Sequence, residues 1–173
     1  MIETQRLILR RHRAGDLDAC AAMWADPVVA RYIGGRTAST QESWMKILRY
    51  AGLWELLGFG YWAVEEKSSG QFIGELGFAD FKRVMQPPID GIPELGWAFA
   101  SAFHAKGYAT EGLRAALEWA DANIDSARTV CIISPENAAS IRVAQKIGYA
   151  EKLRTMLGEH ETILCERTRS LDS

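Results

Sequence analysis

The run His104-Ala105-Lys106-Gly107-Tyr108-Ala109-Thr110-Glu111 joins an apolar, aromatic-rich segment, Leu95-Gly96-Trp97-Ala98-Phe99-Ala100, to a stretch with helical period. Apolar residues at Ala109, Leu113, Ala116, Leu117 and Ala120 follow the i, i+4, i+7, i+8, i+11 spacing of one helix face. Strand, glycine turn and helix in that order outline an anion site. The first helical turn leaves backbone N–H groups unpaired, and a glycine lets phosphates come close to them. Charge-assisted hydrogen bonds are worth roughly 1.5–3 kcal/mol each, and the helix dipole adds about 0.3–1 kcal/mol. A few amides can therefore hold a diphosphate without basic side chains. A glycine at this place also serves turn geometry or close packing alone. What favours the ligand-binding reading is a second segment, Asn137-Ala138-Ala139-Ser140-Ile141-Arg142-Val143-Ala144-Gln145-Lys146-Ile147-Gly148-Tyr149, which follows another strand-like run, Thr129-Val130-Cys131-Ile132-Ile133.

Around these two segments the chain supplies the elements that must position them. Residues 6–10 read as a first strand. Asp16 is placed to cap a helix from Leu17 to about Ala25, ended by Pro27. Ser39 and Glu42 fit a capping box for a second helix, with Trp44, Ile47, Leu48, Ala51, Trp54 and Leu57 as its apolar stripe, and the two helices are expected to form one wall. Residues 60–64 and 71–78 flank the polar Lys67-Ser68-Ser69-Gly70 and read as a β-hairpin. Residues 82–93, with Pro87-Pro88 and Asp90-Gly91, form the longest turn-rich connection and are expected to project toward an acceptor cleft. The order β-α-α-β-β-β-α-β-α-β-β suits an α/β fold, a mixed sheet with helices on both faces.

Length and composition fit one domain over residues 1–173. A net charge of −2 and no Lys/Arg-rich run argue against nucleic acid as a partner. Met1-Ile2-Glu3 opens without a charged n-region and apolar h-region. No stretch approaches the about 18 apolar residues of a membrane span, so a cytoplasmic protein without a membrane partner is expected. Cys20, Cys131 and Cys165 lack CxxC or Cys/His metal spacing and are expected as buried thiols. His12, His104 and His160 share no common spacing, so no metal is expected.

Together the two segments resemble the Gcn5-related N-acetyltransferase superfamily, whose acetyl-CoA diphosphate signature is Arg or Gln, two variable residues, Gly, one variable residue, then Gly or Ala. Gly107 and Ala109 match, and His104 stands at the Arg or Gln position. Glu3-Thr4-Gln5-Arg6-Leu7-Ile8-Leu9-Arg10, Glu94-Leu95-Gly96-Trp97, residues 106–111 and the Asn-x-x-Ser of Asn137 and Ser140 look like the branch containing the ribosomal-protein N-terminal acetyltransferases. The resemblance runs from about residue 2 to 166 and implies a fold in which the fourth and fifth strands splay apart around acetyl-CoA. Glu94, Phe99, Asn137 and Ser140 would then surround one cleft.

The implied chemistry is attack of an amine on a thioester, which needs a base near the amine and donors near the developing oxyanion. By resemblance Glu94 is the base, directly or through water, against the alternative of a solvated strand-end carboxylate. Trp97 would run beside the pantetheine arm through its backbone, and the Phe99 N–H would face the acetyl carbonyl. Gly107, Tyr108, Ala109 and Thr110, with Lys106 ranked below them, would hold the diphosphate. Asn137 would cap the last helix and contact the pantetheine. Many relatives carry a tyrosine where this chain has Ala144, and Ser140 instead matches a serine proposed to supply the proton to the departing thiolate. The same serine is also an ordinary helix-start residue.

An α-amine, with a pKa of about 7.7–8.0, is easier to deprotonate than lysine at about 10.4, by roughly 3.4 kcal/mol. A peptide N-terminus or an activated small amine is favoured on that ground. Trp24, Trp44 and Trp54 fall in the helices of the acceptor wall and either shape a pocket or pack the core. Acidic pocket lining would indicate polyamines or aminoglycosides. A non-catalytic acyl-CoA-binding module is the alternative from another class.

Overall fold

The computed structural model describes residues 1–169. In chain order the elements are β1 (Ile2–Glu3), β2 (Leu7–Arg11), α1 (Leu17–Trp24), α2 (Pro27–Ala30), α3 (Thr40–Leu57), β3 (Tyr61–Glu66), β4 (Phe72–Ala79), β5 (Glu94–Phe99), α4 (Tyr108–Asn123), β6 (Arg128–Ile133), α5 (Ala138–Lys146), β7 (Ala150–Leu157) and β8 (His160–Thr168). The strands make one mixed sheet in the order β1-β2-β3-β4-β5-β6-β8-β7. All neighbours are antiparallel except β5 and β6. This is the α/β arrangement expected from the sequence, with one short strand (β1) and one single-turn helix (α2) more than the pattern anticipates.

Two apolar layers sandwich the sheet. Leu113, Ala116 and Leu117 of α4 and Ala144 of α5 pack against Leu7, Leu76, Phe78 and Leu95 on one face. Cys20, Met23 and Trp24 of α1 and Ile47 of α3 pack against Ala98 on the other. Near the end of α3, Trp54 meets Trp62 and Trp119 edge-to-face, with centroids 4.9 and 5.4 Å away. Among the described residues, no helix is long and apolar enough to cross a membrane.

Several local expectations are corrected. Asp16 does not cap α1 with its side chain. Its carboxylate accepts the two terminal guanidinium nitrogens of Arg10 at 2.8 and 2.9 Å and the Arg13 N–H at 2.9 Å, so the ion pair has taken the capping oxygen. Pro27 opens α2 rather than merely ending α1, because its fixed φ and missing N–H suit a first helical turn. The Ser39/Glu42 capping box forms as expected. The buried stripe of α3, however, runs through Ser43, Ile47, Tyr50, Leu53 and Trp54. Leu48 and Leu57 are exposed, and Tyr50 is buried because its hydroxyl finds a partner beneath the helix. Residues 82–93 do not simply project. Met85 and Ile89 pack on Val130 and Leu164, and Met85 bridges Leu157.

Candidate active site

The two parallel strands β5 and β6 touch through a single register pair, Glu94 with Val130, where the Val130 N–H donates to the Pro93 carbonyl at 3.1 Å. Beyond that point they part, forming a wedge that is closed at Glu94 and open at Phe99. On its other edge β5 stays paired with β4 along its whole length, and the Ala100 N–H donates to Ile73. Backbone groups alternate sides along a strand. The N–H groups of Trp97 and Phe99 therefore face the wedge.

The turn after β5 brings α4 to the wedge mouth. Ala105 and Gly107 both adopt left-handed conformations, at φ 59° and 81°. Alternation of such residues turns successive N–H groups toward one concave spot and makes an anion nest. The N-terminus of α4 carries no side-chain cap, which leaves its first-turn amides open to a ligand. The α5 N-terminus differs, since the Asn137 carboxamide oxygen accepts the Ser140 N–H at 3.1 Å. Half-buried Ser140 thus sits in the first turn of the helix that follows β6. The tyrosine position of many relatives is filled by buried Ala144, part of the core.

Around the nest the side chains divide the work. The imidazole Nε2 of His104 lies 2.7 Å from the Phe99 carbonyl and ties the turn to the strand end. Tyr108 turns its hydroxyl away to Glu66 beneath the Arg6 guanidinium, so only its backbone is offered to a phosphate. Ala109 packs on the core, Thr110 is half-buried, and exposed Lys106 lies 5.1 Å from the Phe103 ring centroid. Glu111 anchors the assembly by accepting the Arg6 N–H at 2.8 Å, the Arg6 Nε at 2.7 Å and the Thr4 hydroxyl at 2.6 Å. Arg6 also donates to the Lys106 carbonyl at 3.0 Å, and a Cβ on Gly107 would lie 3.4 Å from its guanidinium. The sequence reading passed over Arg6 as a strand residue, and its long-range partner Glu111 is what brings it to the nest.

Glu94 does not sit with Phe99, Asn137 and Ser140. It lies at the closed end of the wedge, and five residues of extended strand span about 17 Å. Its carboxylate is buried and held by Arg83 at 2.6 and 2.7 Å, a bidentate ion pair supplied by the connection before β5. Burial works against the Arg83 charge, and the Glu94 carboxylate outweighs it and raises the guanidinium pKa.

On the α1/α3 face, Tyr61 bridges the interval between Glu94 and the middle of β5. A Cβ on Gly96 would lie 1.9 Å from the Tyr61 hydroxyl, so the glycine is what admits this side chain. Burial first, then the charges of Glu94 and Glu75, push the Tyr61 hydroxyl well above its ordinary range and keep it protonated. Its ring stacks on Tyr50, centroids 4.6 Å apart.

Glu75 is the other buried carboxylate on this face. It accepts the Tyr50 hydroxyl at 2.6 Å and the Trp24 indole N–H at 3.1 Å, with His12 Nε2 3.7 Å away. Burial works to raise its carboxyl, but His12, Tyr50 and Lys46 outweigh that and hold it below the usual carboxylate range. Among the described residues, the two ring nitrogens of buried His12 have no hydrogen-bond partner. Glu75 escaped the sequence reading, although a carboxylate inside the otherwise apolar run of residues 72–79 is a legible sign of a buried polar network.

Comparison with known proteins places this geometry. The family model described as "Acetyltransferase (GNAT) domain" matches residues 6–150. YkkB of Bacillus subtilis (strain 168) is 34% identical over 99 residues, which cover 56% of this chain and 55% of that protein. A structure from Bordetella pertussis assigned to the GnaT acetyltransferase family superposes with TM-score 0.85 at 28% identity, covering 96% of this chain and 98% of that one. RimL, a ribosomal L7/L12 alpha-N-protein acetyltransferase solved in complex with coenzyme A, shares the fold with TM-score 0.78 at 16% identity, covering 98% and 97%.

Proposed function

The chain belongs to the GNAT acetyltransferase family, and on that premise we propose that it is a cytoplasmic N-acetyltransferase, one domain over residues 1–173, that uses acetyl-CoA to acetylate a primary amine. The observation that carries this reading is the single β5–β6 register pair. It leaves a wedge bordered by the free N–H groups of Trp97 and Phe99 and by the uncapped start of α4. These donors suit a ligand with an amide-bearing arm and a diphosphate, and RimL, which has the same fold, was solved with coenzyme A.

Bound there, acetyl-CoA supplies an activated acetyl carbonyl. The amides of Gly107, Tyr108, Ala109 and Thr110 hold the diphosphate, and Lys106 adds a solvated charge beside them. The Trp97 backbone and the free amide side of Asn137 line the pantetheine arm. The Phe99 N–H is aimed at the carbonyl oxygen, where developing negative charge is best stabilised by a fixed donor. No acyl-enzyme is needed, since the amine attacks directly.

Glu94 is the base. Its distance along β5 from Phe99 means that the proton reaches it through water and the Tyr61 hydroxyl over Gly96 rather than by direct contact. Arg83 fixes the carboxylate in place. Ser140, in the first turn of α5, is the candidate to return a proton to the departing thiolate.

Release of free thiol from acetyl-CoA with a panel of amines tests the activity, and a binding module would release none above background. Glu94→Gln should lower kcat by roughly 10²–10⁴-fold, the usual contribution of a positioned base. Unchanged turnover at saturating acceptor across about pH 6–9 would remove Glu94 from the reaction.

A further inference from the structure

The α1/α3 face carries an open cleft of about 550 Å³ between the loop after α2 and the helix α3. Trp24, Arg36, Glu42, Lys46 and Arg49 are among the residues that line it. Arg36 and Glu42 satisfy each other, with nitrogen–oxygen distances of 2.5 and 3.2 Å. Lys46 and Arg49 have no such partner. Among the described residues neither makes a side-chain hydrogen bond or an ion pair, and each lies only over aromatic rings. The Lys46 ammonium is 3.9 Å from the Trp24 ring centroid, and the Arg49 guanidinium is 4.9 Å from that of Phe81. The two are three residues apart on α3 and project from one side of it. The cleft therefore presents two cations held in no ion pair, although the buried Glu75 charge acts on Lys46.

Two chains of contacts lead from the cleft toward β5. Arg83, which holds Glu94, lies over the same Phe81 ring at 5.0 Å, so Arg49 and Arg83 are at most about 10 Å apart. Trp24 packs in one cluster with Ala98, whose neighbours in β5 are Trp97 and Phe99. Through Trp24 and Ala98, a molecule seated in the cleft with one end on Lys46 and Arg49 can thus extend its other end toward the Phe99 end of β5.

We propose that the acceptor is an anionic primary amine, its amine presented toward the acetyl carbonyl at the Phe99 end of β5 and its carboxylate or phosphate held by Lys46 and Arg49. This deepens the acetyltransferase reading and rests on it. Two cations held in no ion pair repel polyamines and aminoglycosides, and they offer charge-assisted bonds to an acidic acceptor. A free amino dicarboxylate and a peptide with acidic residues next to its N-terminus share this chemistry.

The test compares kcat/KM with acetyl-CoA for glutamate, for a peptide beginning Ser-Asp-Asp, and for spermidine and kanamycin. The expected result is a preference of roughly tenfold or more for an anionic amine, as one charge-assisted bond would give. Turnover of glutamate identifies a small-molecule acceptor, turnover of the peptide alone a protein N-terminus, and both support the proposal. Lys46→Ala/Arg49→Ala should raise KM for the anionic amine with a smaller change in kcat. Added salt should raise the wild-type KM, which tests the charge without a variant. Equal or better use of spermidine or kanamycin, or a KM that the double variant and salt leave unchanged, overturns the proposal while acetyl transfer stands. Absence of thiol release with every amine overturns both.

Discussion

At the scale of single residues, two buried carboxylates on one sheet face are kept in contrasting ways. Glu94 is neutralised by one arginine in bidentate geometry, whereas Glu75 is spread over Tyr50, Trp24 and His12. Because the folded Glu75 carboxyl is held below its unfolded value, its charge stabilises the protein above about pH 4.3. That contribution is lost as pH falls through the lower folded value. Glu75→Gln keeps the volume and an acceptor oxygen for Tyr50 and Trp24 but removes the charge facing His12 and Lys46. It should cost about 1–3 kcal/mol of stability near neutral pH, read from urea unfolding, and the gap from wild type should narrow as pH falls below about 4. A gap that is constant down to acid would mean that the charge of Glu75 contributes nothing. The sequence exposed Glu94 through its place in a recognisable strand motif. It could not expose Tyr61 or Arg6, whose roles depend on Gly96 and Glu111, 35 and 105 residues away, and for Glu75 the apolar run signals burial but not the partner Tyr50, 25 residues away.

At the scale of elements, the glycine turn was legible in its type and in its place. Gly107 is left-handed, the helix starts at Tyr108, and the helix has no competing cap. Gly107→Ala meets no closer atom than the Arg6 guanidinium at 3.4 Å, so its cost is in the backbone. A left-handed alanine costs about 1–2 kcal/mol. Acetyl-CoA affinity should fall severalfold or more as the nest distorts, with β-sheet content unchanged by circular dichroism. Full affinity in this variant would show that the turn serves only to change chain direction. The elements read less well were those whose local signals were diverted to tertiary partners. Asp16 looked like a cap until Arg10, on the neighbouring strand, claimed its oxygens. The stripe of α3 departs from the hydrophobic pattern because Ser43 and Tyr50 are buried while Leu48 and Leu57 are not. Residues 82–93 carried turn signals throughout, and nothing local announced that Met85 and Ile89 would pack beneath β6 and β8 or that Arg83 would seize Glu94.

At the scale of the whole molecule, the sheet does two jobs with its two faces. One face, under α4 and α5, is apolar and packs the strands that border the wedge. The other, under α1 and α3, buries Glu75 and Glu94 and opens into the cleft lined by Lys46 and Arg49. The order of elements, and hence the class of fold, follows from hydrophobic period and turn chemistry that any local window of the chain displays. The division of the faces does not, because it depends on which side of the sheet each helix covers. The central claim is that the wedge between β5 and β6 is built for acetyl-CoA, and calorimetric titration of the purified protein addresses it directly, with ATP and NAD titrated alongside as other diphosphate-bearing ligands. Saturable binding of acetyl-CoA, with ATP and NAD much weaker, is the result the wedge predicts; no binding of acetyl-CoA, or a preference for ATP or NAD, would contradict it.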